Sequence, residues 1–211
     1  VNFLGHTHVA LASGDDPIYV LGAVLPDLAS MARVRIDRAR SGGGALHDGI
    51  HCHIETDAAF HAHPVFRRGA AAIRADLAPL DLPLGASRAI GHIGWELLLD
   101  GTLVGSSTES AFQYALIEGE RALPAIVAGD QPQWRGFLDR WKGLPDPRLR
   151  YDEPVWVAER LYLMLQSRPR LAFAEDAVPA VSRVLELHAT QVAAVAAEML
   201  DAMVTATTTP R

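Results

Sequence analysis

A single cysteine, Cys52, is all the thiol in this 211-residue chain. It excludes an internal disulfide framework and a zinc knot built on several thiolates, and it fits a reducing compartment. An excess of positive charge is missing too: 19 Lys and Arg stand against 25 Asp and Glu, for a net charge of −6. Binding a phosphate backbone takes clustered cations, so nucleic acid is not an expected partner. No apolar run approaches the roughly 18 uninterrupted residues of a membrane span. The opening VNFLGHTHVA lacks the basic start and apolar stretch of a signal peptide. The expectation is a soluble, unprocessed, cytoplasmic protein without a membrane span. Gly42, Gly43 and Gly44 are not followed by the Lys-Ser or Lys-Thr of a P-loop, and no serine sits in a nucleophile-elbow sequence.

Hydrophobic residues make up 49% of the chain, enough for an ordinary globular core. Apolar positions recur at three and four residues over 6–13, 17–32, 45–60, 64–77, 86–105, 109–128, 133–142, 154–167 and 175–204, which predicts helices. The breaks carry turn chemistry: SGGG at 41–44, APLDLPLG at 78–85, GDQP at 129–132 and GLPDPRLRYDEP at 143–154. YVLGAVL at 19–25 is short enough for a buried strand but is read as helical. The pattern predicts an all-α fold, one helical bundle domain over residues 1–204, with 205–211 fraying.

Eight of the nine histidines lie between residues 6 and 92. LHDGIHCHIETDAAFHAH, residues 46–63, holds five of them with two aspartates and one glutamate. Residues four apart share a helix face, so His47 and His51 are neighbours and His53, Asp57 and His61 form a second row. One helix cannot converge them all on a single ion. Other segments supply candidates: His6 and His8, Asp27 after GAVLP, and His92, Glu96 and Asp100, spaced four and four within AIGHIGWELLLDG. Carboxylates among Ile, Trp and Leu need a cation, a histidine or hydrogen-bond donors to compensate their desolvation. Imidazole and carboxylate together suit zinc, manganese or iron, and such a centre favours phosphoester hydrolysis. For His47, His61, His63 and His188, a solvated or hydrogen-bonded structural role is the preferred reading.

NFLGHTHVA at 2–10, GAVLPDL at 22–28, GIHCHIETDAAFHAHP at 49–64, GWELLLDG at 94–101 and RPRL at 168–171 resemble, in order, the blocks of the acyl carrier protein phosphodiesterase family. The resemblance spans most of the chain. It implies an HD-domain-like helical phosphohydrolase that uses a divalent metal, manganese before zinc or iron, to release phosphopantetheine from the carrier protein. By resemblance, His6 and His8 match the opening motif, Asp27 the aspartate after the apolar run, and His53 with Asp57 the HxxxD pair. Asp27, His53 and Asp57 are accordingly the catalytic candidates. The metal-ligand candidates are His6, His8, Asp27, His53, Asp57, His92 and Glu96. The chain departs from the family at Ile54, where a basic residue is usual, at Phe60-His61, where Thr-Asp is usual, and at His92 and Glu96, where aspartates are usual.

A second resemblance is to zinc-dependent phospholipase C-like helical proteins, and a non-catalytic helical binding module is the alternative outside enzymes. An acidic carrier protein as partner would need a local basic patch. Arg33, Arg35 and Arg38 in MARVRIDRAR are its expected source.

Overall fold

The opening segment is mostly apolar, with His6, Thr7 and His8 set among Phe, Leu, Val and Ala, so the helix it forms calls for burial on most sides. In the computed structural model, which describes residues 1–37, 43–144 and 148–208, this helix is α1 (Phe3–Leu11). It buries Phe3, Leu4, Gly5, His6, Thr7, Val9 and Ala10. The chain continues through α2 (Pro17–Ala32), α3 (Ala45–Ala62), α4 (Pro64–Asp76), α5 (Leu84–Gly101), α6 (Ser107–Ile117), α7 (Gln131–Lys142), α8 (Pro154–Leu165) and α9 (Val178–Thr208). The fold is all-α. Among the described residues no strand ladder forms, and one antiparallel bridge joins Ile36 to Ile126. No helix described is long and apolar enough to cross a membrane.

Local chemistry sets the helix ends. Asp16 caps α2 by accepting a hydrogen bond from the Ile18 amide at 2.8 Å, with Pro17 in the first turn. YVLGAVL lies inside this helix, as expected. The expected helix over 109–128 divides, because α6 stops at Ile117 and a 3-10 segment, Gly119–Ala125, follows. Pro124 cannot donate to a helical ladder, and glycine at 119 is a poor helix former. At the other end of the chain, α9 runs past residue 204 to Thr208. The helix thus extends beyond the expected end at 204, with the Thr207 and Thr208 hydroxyls donating hydrogen bonds to the carbonyls of Met203 and Val204.

The packing sorts into two compact units. One comprises Asn2–Ala59, Gly105–Leu149 and Ala202–Arg211. In it α1 packs on α2 and α6, and α7 also packs on α2. Phe3 stacks on Phe112 at 5.3 Å, and both meet Trp141 edge-on. The buried Trp134 donates its indole N–H to the Gly119 carbonyl at 3.0 Å. The other unit comprises Val1, Phe60–Val104 and Arg150–Asp201. There α4 lies along α5 and α5 packs on α8, around Phe60, Phe66 and Trp95. His188, on α9, reaches Asp76 at 2.8 Å, the structural role expected of it.

Within the first-named unit, α2 and α3 cross backbone to backbone at Gly22 and Gly49. A Cβ on Gly49 would lie 2.8 Å from the Gly22 Cα and would also collide with the Tyr19 carbonyl. This crossing brings the Ala23 carbonyl on α2 beside His53 on α3. Gly49→Ala is therefore expected to force the helices apart and lower stability by about 1–3 kcal/mol, the usual cost of overpacking. Urea unfolding is the check, and an unchanged midpoint would show that the close approach is dispensable.

Candidate metal centre

Three helices of that unit each contribute to one cluster: α1 supplies His6, α2 supplies Asp27, and α3 supplies His53 and Asp57. The ligand atoms of His6, Asp27 and His53 lie within 4.8 Å of one another. The two imidazoles stack at 3.9 Å between ring centroids. Asp57 bridges them, with Oδ1 3.3 Å from His6 Nε2 and Oδ2 3.6 Å from His53 Nε2. Asp27 Oδ2 is 3.7 Å from the same His6 nitrogen.

The protonation of His53 follows from its partner. Its Nδ1 lies 2.8 Å from the Ala23 carbonyl oxygen. A carbonyl only accepts, so Nδ1 carries the hydrogen and, in the neutral ring, Nε2 is a bare lone pair. That lone pair faces a carboxylate, which is repulsive unless a cation or proton lies between them. A backbone carbonyl that fixes the tautomer behind a ligand nitrogen is a usual support for metal-binding histidine.

His6 points the same way for a different reason. It is fully buried, and neither of its ring nitrogens makes a satisfactory hydrogen bond. Burial pushes its pKa down to about 3, and Asp57 offsets only part of this shift. His6 is thus a neutral, buried imidazole facing two carboxylates. Asp57 stays ionised: burial would raise its pKa, but the approach of His6 holds it below the ordinary carboxylate range. Asp27 and Asp57 are 32% and 34% exposed, so the cluster opens on its carboxylate side. Two imidazole nitrogens and two carboxylates make a donor set that manganese, iron(II) and zinc all accept.

The seven expected ligands do not form one set. His8 is two residues beyond His6 on α1, about 200° around the helix, and the structure does not bring it into either cluster among the described residues. His92 and Glu96 belong to the other unit, where α5 holds them one turn apart with His92 Nε2 3.1 Å from Glu96 Oε1. Asp100, one turn further on, is fully buried and joins neither cluster.

Their third partner is His61, from the last turn of α3, with Nε2 3.2 Å from the same oxygen. His61 thus joins a titratable cluster, in contrast to the structural role expected of it. Its spacing from Asp57 hid it, because the row His53, Asp57, His61 reads as one face whereas its members serve different clusters. Burial would raise the pKa of Glu96, but the approach of His61 and His92 holds it below the ordinary carboxylate range. His63 instead caps α4, accepting from the Val65 amide, and His47 and His51 face each other at 3.0 Å.

The expected basic patch is weaker than its sequence suggests. Arg35 makes a two-pronged ion pair with Asp130, at 2.9 and 3.3 Å, which neutralises its charge. Arg33 is exposed at the end of α2 in a left-handed conformation, and Arg38 lies outside the described residues. Comparison with protein-family models, with curated proteins and with solved structures finds no match to this chain.

Proposed function

We propose that the chain is a metal-dependent phosphodiester hydrolase whose centre is His6, Asp27, His53 and Asp57. The observation that carries this reading is the convergence of His53 Nε2, the acceptor nitrogen of the ring that the Ala23 carbonyl orients, with a carboxylate and with the buried His6, neither of whose ring nitrogens has a hydrogen-bond partner. A divalent cation there would polarise a phosphoryl oxygen and acidify a water. The rest is the work of the chain itself. His6 and His53 offer neutral nitrogens already oriented by burial and by the helix crossing, so little ordering remains to be done on binding. Asp27 and Asp57 face the open side, where a carboxylate can orient an attacking water and accept its proton.

The substrate class rests on the resemblance in block order to the acyl carrier protein phosphodiesterases: the phosphodiester linking phosphopantetheine to a carrier protein, with manganese as the metal. The donor set is compatible with that metal. The departures at Ile54 and His61 bear on phosphate recognition more than on the centre itself. Protein purified without chelator is expected to carry divalent metal by elemental analysis and to cleave bis(p-nitrophenyl) phosphate. Chelation should abolish that cleavage, and manganese should restore it. Holo-acyl carrier protein and phosphatidylcholine, offered side by side, separate this reading from a phospholipase C-like one. A metal-loaded chain inert toward all three diesters would sink the proposal.

A further inference from the structure

We propose that His61, His92 and Glu96 form a second divalent-cation site, independent of the first and suited to zinc-class ions. Both imidazoles direct Nε2 at one oxygen, Glu96 Oε1, from 3.2 and 3.1 Å. Three donors held at the 2.0–2.2 Å bond lengths of zinc sit about 3.3 Å apart along a tetrahedral edge. The observed spacings are close to that edge, at the long end of the 2.7–3.2 Å range of an N–H···O hydrogen bond. The donors also come from two helices, since α5 presents His92 and Glu96 one turn apart and α3 supplies His61.

The surroundings hold this arrangement in place. The two imidazoles lie nearly parallel at 5.0 Å, 22° apart. Phe66 meets both edge-on, at 5.4 Å from His61 and 5.0 Å from His92, and Phe60 meets His61 at 5.3 Å. The Glu96 side chain is only 12% exposed, whereas His61 is 38% and His92 48% exposed. A nearly buried anion flanked by two accessible imidazoles leaves the cluster open to a cation from solvent. Two nitrogens and one oxygen leave the fourth position of a tetrahedral ion open, as in zinc sites that exchange a ligand. The competing arrangement is two N–H donors sharing one carboxylate oxygen, which would show no appetite for metal.

The test uses the full chain, stripped of metal, in a His47→Gln/His51→Gln background that removes the exposed pair of facing imidazoles. Zinc is titrated calorimetrically, and cobalt is followed by its visible absorption. Two equivalents are expected. His61→Ala and His92→Ala should each weaken one equivalent at least about tenfold and leave the other intact, whereas His53→Ala should remove the other alone. Both substituted histidines are well exposed, and circular dichroism melting confirms that each variant is folded. If His61→Ala and His92→Ala leave zinc and cobalt binding unchanged, the second site does not exist. If instead only His53→Ala has no effect, the second site stands and the first is misassigned. Absence of any bound equivalent overturns both.

Discussion

Asp57→Asn is expected to lower diester hydrolysis by at least about 10³-fold and to strip the centre of metal, with the helical fold retained. The substitution changes almost no volume, so packing around α3 is preserved. It removes the one side chain that faces both imidazoles, with separate oxygens 3.3 and 3.6 Å from His6 and His53. A carboxamide cannot supply the charge that offsets a divalent cation, and its nitrogen offers no lone pair to bind one. Loss of a group that both holds the ion and faces the substrate side costs several kcal/mol in the transition state, and each 1.36 kcal/mol is tenfold in rate. Elemental analysis, steady-state kinetics and far-UV circular dichroism on the same preparation make the check. Wild-type hydrolysis by a metal-free Asp57→Asn protein would show that the reaction does not use this centre.

The all-α fold was legible because the 3.6-residue period runs through most of the chain and turn residues interrupt it cleanly. What the period cannot report is which helices meet. It placed His53 and Asp57 on one face of α3, but not the Gly22–Gly49 contact that brings Ala23 and His53 together. It also could not show that His61, one turn past Asp57, pairs with Glu96 on another helix. The expected helix over 109–128 failed where the low helix propensity of Gly119 and the missing N–H of Pro124 outweigh apolar spacing. His8 is a different case. Positions two apart on a helix point nearly opposite ways, so the same periodicity already excluded a site using both His6 and His8 once the segment was read as helical. Arg35 shows the limit of reading charge from a run of letters, because Asp130, 95 residues away in sequence, neutralises it.

Acid should destabilise the metal-free chain well above the usual carboxylate range, with His6 as the cause. In the unfolded chain His6 titrates near 6.5, whereas burial in the fold pushes it down to about 3. Between those values the unfolded state binds a proton that the native state refuses, so stability rises with pH there, by up to about 1.4 kcal/mol per unit. Above pH 6.5 both states are neutral at this residue and the dependence vanishes. From pH 7 to pH 4 the accumulated loss from His6 alone is about 3 kcal/mol, a large share of the margin of a typical domain. Asp57 acts in the same direction but at lower pH. Its folded pKa is depressed, so its contribution is complete above the ordinary carboxylate value and disappears only as pH falls below it. The two residues therefore separate on the pH axis. Urea unfolding of chelator-treated protein at pH 7 and pH 4 should show the wild type losing about 3 kcal/mol more than His6→Asn or His6→Gln, neither of which can take up the proton. Parallel losses in wild type and both variants would mean that His6 is protonated in the fold, and with it the case for a neutral imidazole awaiting a cation would fall.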